Sequence, residues 1–261
     1  MLAWLRRRRV ERRAAELTPA WTEFTACVET VPCLARLDRD ERGRLRQLSA
    51  QILASKEFHG AGGLQPQWQH CLPVAIHAAL PILNIGLDGY RDFHSFILYS
   101  NPFEADFEEV DEAGVVHRGR DLRVGEAWHR GPVVLSLADV AESGHGLGFH
   151  VVVHELAHQF DHRNGEADGY PPLPREIKHH QWVAAFTDGY RRLLEMLERR
   201  QQPFIDEYAA ESPAEFFAVC CEFFFDLPVQ LADTEPEIYR LLTLFFRQDP
   251  ARAARSSGQK S

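Results

Sequence analysis

The sequence feature that most constrains this 261-residue chain is His154-Glu155-Leu156-Ala157-His158, which directly follows three valines at 151–153. No helix breaker interrupts this stretch, so it predicts an α-helix. Residues four positions apart lie on one face of a helix, about one turn from each other. His154 and His158 can therefore direct two imidazole rings at a single point, and zinc accepts such nitrogen ligands.

Glu155 follows the first of these histidines, where its carboxylate can take a proton from a water molecule instead of binding the metal. The alternative is a solvated helix face that matches the five-residue pattern by chance. Burying two histidines and a glutamate without partners would cost free energy. The apolar flanks therefore favour a zinc-binding helix that is buried on most sides.

The composition restricts the class of protein. Hydrophobic residues make up 45% of the chain and charged residues 26%, which predicts a soluble globular protein with a sizeable core. The net charge of −9 argues against general affinity for nucleic acid. The five cysteines are odd in number and lack a Cys-x-x-Cys pair, so we expect reduced thiols and a cytoplasmic location. No apolar run reaches the roughly 18 residues of a transmembrane segment.

Three segments are expected along the chain. Residues 1–20 predict a basic N-terminal arm, because the arginines at 6–9 come after the short apolar start, the reverse of a secretory signal. The arm is either solvated or in contact with anionic lipid or an acidic partner. Residues 21–250 are expected to form a single domain, and residues 251–261 a polar, disordered tail.

The spacing of apolar residues predicts an α+β fold. Asp38 and Glu41 form a capping-box pattern before a helix at 39–54. Strands are expected at 95–100 and 131–137, and further helices at 68–85, 177–200, 213–226 and 235–248. The strands are too few for a regular series of β-α-β units, which favours a small mixed sheet and a helical C-terminal half. The strand at 131–137 either presents a free edge to an extended substrate or lies inside the core.

A catalytic zinc site requires a third protein ligand and one open position. A third histidine six residues after the second is excluded, because Asn164 occupies that place. We expect a carboxylate from a later helix, and the candidates are Glu207, Glu211, Glu215 and Glu222. Ser212 and Pro213 mark a helix start, so Glu215 can also be a capping residue of its own helix. Glu222 lies on nearly the same helix face and can orient a ligand histidine.

Other polar residues near the motif have less specific interpretations. Asp161 can accept a hydrogen bond from His158, or it can contact a surface N–H group or Arg163. His145 and His150 precede the helix and are expected to be loop residues. His70 and His77 are expected to be core or surface residues instead of metal ligands.

Longer segments of the sequence support a family resemblance. They are His154-Glu155-Leu156-Ala157-His158-Gln159-Phe160-Asp161, then Arg163-Asn164-Gly165, the stretch Ile-Asp-Glu-Tyr-Ala-Ala-Glu-Ser-Pro-Ala-Glu-Phe-Phe-Ala-Val at 205–219, Gly-Pro-Val-Val-Leu at 131–135 and Phe-Phe-Arg-Gln-Asp-Pro at 245–250. Together they resemble the Mlc titration factor A family of zinc peptidases over about residues 21–250. The resemblance implies a zincin-like metallopeptidase domain similar to the catalytic domain of anthrax lethal factor.

By this resemblance, His154, His158 and Glu215 bind one zinc ion, Glu155 is the general base and Tyr208 assists at the transition state. Apart from the family, Tyr208 would as readily be a half-buried aromatic residue with a solvated hydroxyl group. The family takes its name from a protein that binds the glucose-responsive repressor Mlc, and the resemblance also implies aminopeptidase activity on small substrates. The differing ends of this chain leave partner binding open.

The resemblance therefore implies a zinc-dependent peptidase, with a peptide or protein substrate and a regulatory role. The alternative is a regulatory binding protein that sequesters a transcription repressor of the Mlc type, with little catalysis. Hydrolysis of a non-peptide amide or ester would use the same metal chemistry.

Overall fold

The computed structural model describes Val10 and residues 22–101 and 131–255 with their side chains. It gives the backbone alone of residues 103–110, 116–123, 125–127 and 256–258. The N-terminal arm predicted at 1–20 therefore lies, apart from Val10, outside the described residues.

Helices account for most of the described chain. In chain order they are α1 (Thr22–Thr30), α2 (Pro32–Ala35), α3 (Arg39–Ser55), α4 (Trp68–Ala79), α5 (Leu137–Glu142), α6 (Val151–Asp161), α7 (His179–Glu198), α8 (Pro213–Asp226), α9 (Pro228–Thr234), α10 (Pro236–Phe246) and α11 (Pro250–Gly258). Single 3₁₀ turns lie at Leu87–Tyr90, His162–Asn164 and Glu207–Ala210. None of the helices within these ranges is long and apolar enough to cross a membrane.

Four short strands form a mixed sheet. They are β1 (Glu57–Gly60), β2 (Ser95–Tyr99), β5 (Gly125–Ala127) and β6 (Val133–Ser136), in the order β1-β2-β6-β5. β1, β2 and β6 are parallel, and β5 pairs antiparallel with β6. β3 (Phe103–Val110) and β4 (Val116–Arg123) form a separate antiparallel hairpin. The mixture of helices with a small mixed sheet confirms the predicted α+β class at this level.

The prediction of a free substrate edge on the strand at 131–137 is wrong. β6 lies between β2 and β5, and all four of its residues are buried. The alternative of an interior strand is therefore correct. A strand buried on both faces reads as a continuous apolar run in the sequence, and such a run does not reveal whether the strand lies at an edge.

The phenylalanine-rich helix α8 lies at the centre of the helical half. Its buried phenylalanines are Phe216, Phe217, Phe223, Phe224 and Phe225. A helix that is apolar on all sides must be surrounded by other elements. α8 packs against α6, α7 and α10, and the aromatic rings of Trp182 and Phe217 lie with centroids 5.7 Å apart. This packing fixes the position of α8 relative to α6, on which the site described below depends.

A local sequence signal correctly predicts where α3 begins. The Asp38 side chain accepts from the backbone N–H of Glu41 at 2.8 Å, and the Glu41 side chain accepts from the backbone N–H of Asp38 at 2.9 Å. This capping box opens α3, as expected.

Helix α4 is shorter than predicted. It ends at Ala79 and not at residue 85, and Pro73 lies inside it.

The C-terminal segment is helical and not a disordered tail through residue 258. Pro250 occupies the first position of α11, and the Asp249 carboxylate accepts from the backbone N–H of Arg252 at 3.2 Å. Ala251 is buried, and α11 packs against α9. The polar composition of this segment does not indicate a helix. The helix is stabilised by capping and by contacts with a helix nearly twenty residues earlier in the chain.

Candidate metal centre

Helix α6 presents the two motif histidines on one face. The Nε2 atoms of His154 and His158 are 3.2 Å apart, and their ring centroids are separated by 4.9 Å. The other residues of α6 are buried, including Glu155 at 3% exposure. The i, i+4 spacing and the apolar run at 151–153 thus produce a buried helix with two imidazole nitrogens at one point, as the sequence predicts.

Glu215 reaches the same point from the first turn of α8. The Ser212 hydroxyl caps this helix by accepting from the backbone N–H of Glu215 at 3.1 Å. The Glu215 carboxylate faces the histidines, with Oε2 at 3.0 Å from Nε2 of His154 and Oε1 at 3.3 Å from Nε2 of His158. The backbone of Glu215 therefore takes part in the helix cap, while its side chain is free to face the two histidines.

The geometry of these three side chains fits a divalent cation. One ligand atom from each lies within 4.8 Å of the others. Oε2 of Glu215 is buried and has no hydrogen-bond partner of acceptable angle among the described residues, although Nε2 of His154 is only 3.0 Å away. The three ligand atoms thus converge on a shared point. Two imidazoles and a carboxylate are a ligand set that zinc accepts.

The charges of the protein groups favour this convergence. Burial alone would lower the pKa of His154, but the close contacts with the Glu215 and Glu222 carboxylates outweigh it and raise that pKa well above its usual value. Burial alone would raise the pKa of Glu215, yet the contacts with His154 and His158 lower it well below the ordinary range. Glu215 is therefore a carboxylate at neutral pH, which is the form that binds a cation.

Glu222 holds His154 from the side opposite the shared point. Its Oε1 accepts from Nδ1 of His154 at 2.8 Å, and its Oε2 accepts from the backbone N–H of His150. This contact at Nδ1 leaves Nε2 of His154 facing Glu215 and His158, where a metal ion would replace any proton that Nε2 carries. Of the two roles considered for Glu222, this is the orienting one, whereas Glu207 and Glu211 lie exposed on the surface.

Tyr208 lies beside one of the motif histidines. The ring of Tyr208 lies 6.0 Å from the ring of His154, and its side chain is 47% exposed. Burial of the hydroxyl, together with Glu215 and Glu211, raises the pKa of Tyr208, so the hydroxyl keeps its proton and can donate it in a hydrogen bond. Glu155 is buried on α6 directly after His154, and its charge adds to the raised pKa values of both His154 and Tyr208.

Asp161 has a different contact from those expected. Its Oδ2 accepts from the backbone N–H of Gly169 at 2.7 Å, and burial raises its pKa to about 6. Arg163 instead contacts Asp92 at 3.1 Å. Asp161 therefore anchors the loop that follows α6.

Sequence reasoning missed the residues that fix the start of α6. His150 lies in the loop just before the helix, as expected, but it is fully buried and caps α6, since its Nδ1 accepts from the backbone N–H of Val153 at 3.3 Å. The Asp226 carboxylate accepts from the backbone N–H groups of Gly146 and Gly148 at 2.8 and 2.7 Å. Histidine is an uncommon cap, and the Asp226 contact spans about 80 residues, so local patterns gave no signal for either.

Comparison with known proteins agrees with this arrangement. The model of a family described as glucose-regulated metallo-peptidase M90 matches residues 2–247. A protein named Mlc titration factor A from Klebsiella pneumoniae subsp. pneumoniae is 37% identical over 232 residues, covering 87% of each chain. Proteins of the same name are 36% identical over 255 residues in Serratia proteamaculans (95% of this chain, 94% of the relative) and 33% over 259 residues in Yersinia enterocolitica (96% and 92%).

Proposed function

Because the chain belongs to the glucose-regulated metallopeptidase family M90, we propose that it is a zinc-dependent peptidase whose metal ligands are His154, His158 and Glu215. The observation that carries this proposal is the convergence of two imidazole nitrogens and an orphaned carboxylate oxygen within 4.8 Å. A structural zinc site usually closes with four protein ligands, whereas three ligands leave a position for substrate and water. The domain is proposed to span residues 21–250 as a unit with a zincin-like architecture.

Zinc bound there would lower the pKa of water and polarise a substrate carbonyl. Glu155 is the general base, because it directly follows the first ligand on α6. It takes a proton from the attacking water and passes it to the leaving amine. Burial on α6 restricts the positions that this carboxylate can adopt.

Tyr208 stabilises the oxyanion that forms as water attacks the carbonyl. Its raised pKa keeps the hydroxyl protonated, so the group donates a hydrogen bond at neutral pH. Its partial exposure beside His154 leaves the side chain accessible to a substrate that approaches from solvent.

Strand β5 is proposed to bind the substrate backbone. It contacts α6 and pairs with β6 along one side only, as far as the described strands are concerned. An extended peptide can add to such an edge through main-chain hydrogen bonds. Backbone pairing gives little side-chain selectivity, which agrees with an aminopeptidase-type activity on small substrates.

A regulatory role is the second candidate function. The relatives are named Mlc titration factor A, which says of those proteins that they titrate Mlc. We propose that this chain also binds a transcription repressor of the Mlc type, in the cytoplasm where such repressors act. Binding and hydrolysis are compatible, and a protein that only sequesters a repressor would not depend on Glu155.

Substitution of the base tests the peptidase proposal. Glu155→Gln should retain zinc but lower peptide turnover by at least about a hundredfold, the usual size of a general-base effect. Glu166→Gln, on the exposed loop after α6, is the matched control and should retain full turnover. A peptide library digested by zinc-loaded protein supplies the substrate. Equal turnover by both variants would remove Glu155 from the mechanism, and turnover of esters alone would change the substrate class.

A further inference from the structure

We propose that Cys33, His77 and His150 form a second metal site, separate from the proposed catalytic one and selective for a soft monovalent ion such as Cu(I). One ligand atom from each residue lies within 4.8 Å of the other two. The three residues come from different elements, namely α2, the last turn of α4 and the N-cap of α6.

The cluster is built into the core. Cys33, His77 and His150 are 2%, 2% and 0% exposed. Nδ1 of His77 lies 3.0 Å from Nε2 of His150, and the two rings meet edge to face with centroids 4.8 Å apart. The Cys33 thiol is pressed against Gly144, where an added Cβ would lie 2.5 Å from Sγ. Glycine at 144 thus leaves the space that the sulfur occupies beside the two imidazoles.

Coordination number and charge select the ion. One sulfur and two imidazole nitrogens suit copper and zinc among the common metals. Zinc in closed sites takes four ligands, whereas the described residues offer three here and burial excludes water. A monovalent ion with one thiolate and two neutral imidazoles gives a neutral unit, which a buried site tolerates better than a net charge. Arg36 near the cluster further disfavours added positive charge.

Metal binding changes where the protons of the cluster reside. The backbone N–H of Val153 donates to Nδ1 of His150, so the neutral ring carries its proton on Nε2 and donates it to Nδ1 of His77. On metal binding, the Cys33 thiol releases its proton to solvent and the His150 proton moves from Nε2 to Nδ1. Nδ1 of His77 is already free of a proton. The ion therefore takes the place of the proton that joins the two rings.

This proton shift connects the cluster to helix α6. Protonation of Nδ1 removes the acceptor by which His150 caps the helix. The backbone N–H of the same residue donates to Glu222, which also holds His154. Occupation of the cluster thus acts on the first turn of the helix that carries the motif histidines.

Anaerobic titration of the zinc-loaded full chain with Cu(I), in competition with a chromophoric Cu(I) chelator, tests the site without any measurement of turnover. Zinc occupies the catalytic ligands during this titration. The protein should retain one Cu(I), and Cys33→Ser should bind it at least about a hundredfold more weakly, since a direct ligand is lost. Cys27→Ser with Cys71→Ser, two half-buried thiols outside the cluster, is the matched control and should bind as the parent does.

X-ray absorption at the copper edge of the unmodified protein should give one sulfur and two imidazole nitrogens. This measurement needs no variant, so a poorly folded Cys33→Ser protein does not affect it, and His77→Gln provides a second variant. Sulfur-only coordination, or Cu(I) binding that is lost in the control instead of in Cys33→Ser, would overturn the proposal. Tight binding of a second zinc ion without Cu(I) binding would overturn the choice of ion.

Discussion

Glu222 accepts a hydrogen bond from Nδ1 of His154 at 2.8 Å, and this contact joins the centre of α8 to the motif helix α6. The other oxygen of the carboxylate accepts from the backbone N–H of His150, at the start of the same helix. One buried side chain therefore holds both the imidazole ring of His154 and the first turn of the helix. Carboxylates in this role make the imidazole a stronger metal ligand.

Glu222→Gln should weaken zinc binding by about 10- to 100-fold, because a neutral amide supports the ring less strongly than a carboxylate. The amide preserves the shape of the side chain, so the fold should be retained. Zinc affinity is measured by competition with a fluorescent chelator, with Glu195→Gln on the exposed face of α7 as the control. Parent-like affinity in Glu222→Gln would show that the hydrogen bond only stabilises the fold.

Glu215→Ala should reduce the bound zinc from one ion per chain to a substoichiometric amount, since two imidazoles alone hold zinc weakly. Glu211→Ala, an exposed glutamate four residues earlier, should retain one ion. Metal content after gel filtration, measured by atomic emission, separates the two variants. Full zinc content in Glu215→Ala would show that another residue is the third ligand.

Tyr208→Phe should lower kcat by about 100-fold, within the range for the loss of one oxyanion donor, while KM and zinc content stay near the parent values. The ring and its contact with His154 are retained, so only the hydroxyl is tested. Steady-state kinetics on a short peptide measure the effect. An increase in KM with unchanged kcat would instead assign the hydroxyl to substrate binding.

The His77 imidazole should make the fold sensitive to acid. Burial lowers the pKa of His77 to about 4 from its ordinary value of 6.5, so below pH 6.5 the unfolded chain binds more protons than the folded one. Stability that is fully present above pH 6.5 is therefore lost as the pH falls towards 4, by up to about 3 kcal/mol. His77→Gln should show a smaller loss over this window.

Urea unfolding of metal-free protein between pH 7.5 and 4.5 measures this difference. His180→Gln, an exposed histidine on α7, is the control and should follow the parent. Equal pH dependence in the parent and in His77→Gln would mean that other groups account for the acid sensitivity.

Short-range patterns account for much of the fold and for the two motif histidines of the site. The apolar spacing around Leu45 and Ile52, with the Asp38 cap, is enough to identify α3. β5 was not predicted, because three residues give too short a run for any periodicity. Helix α9 is not predicted either, since a proline such as Pro228 is compatible both with the end of α8 and with the first position of a new helix.

The sequence by itself determined that His154 and His158 share a helix face, because four residues make about one helical turn wherever that helix lies. It also determined that α8 starts at Pro213, since Ser212 caps it locally. Only the tertiary structure decided that Glu215 faces the histidines while Glu222 supports one of them, and that His150 caps α6 beside His77 and Cys33. These contacts depend on how α2, α4, α6 and α8 pack, and no local spacing encodes the direction in which one helix crosses another.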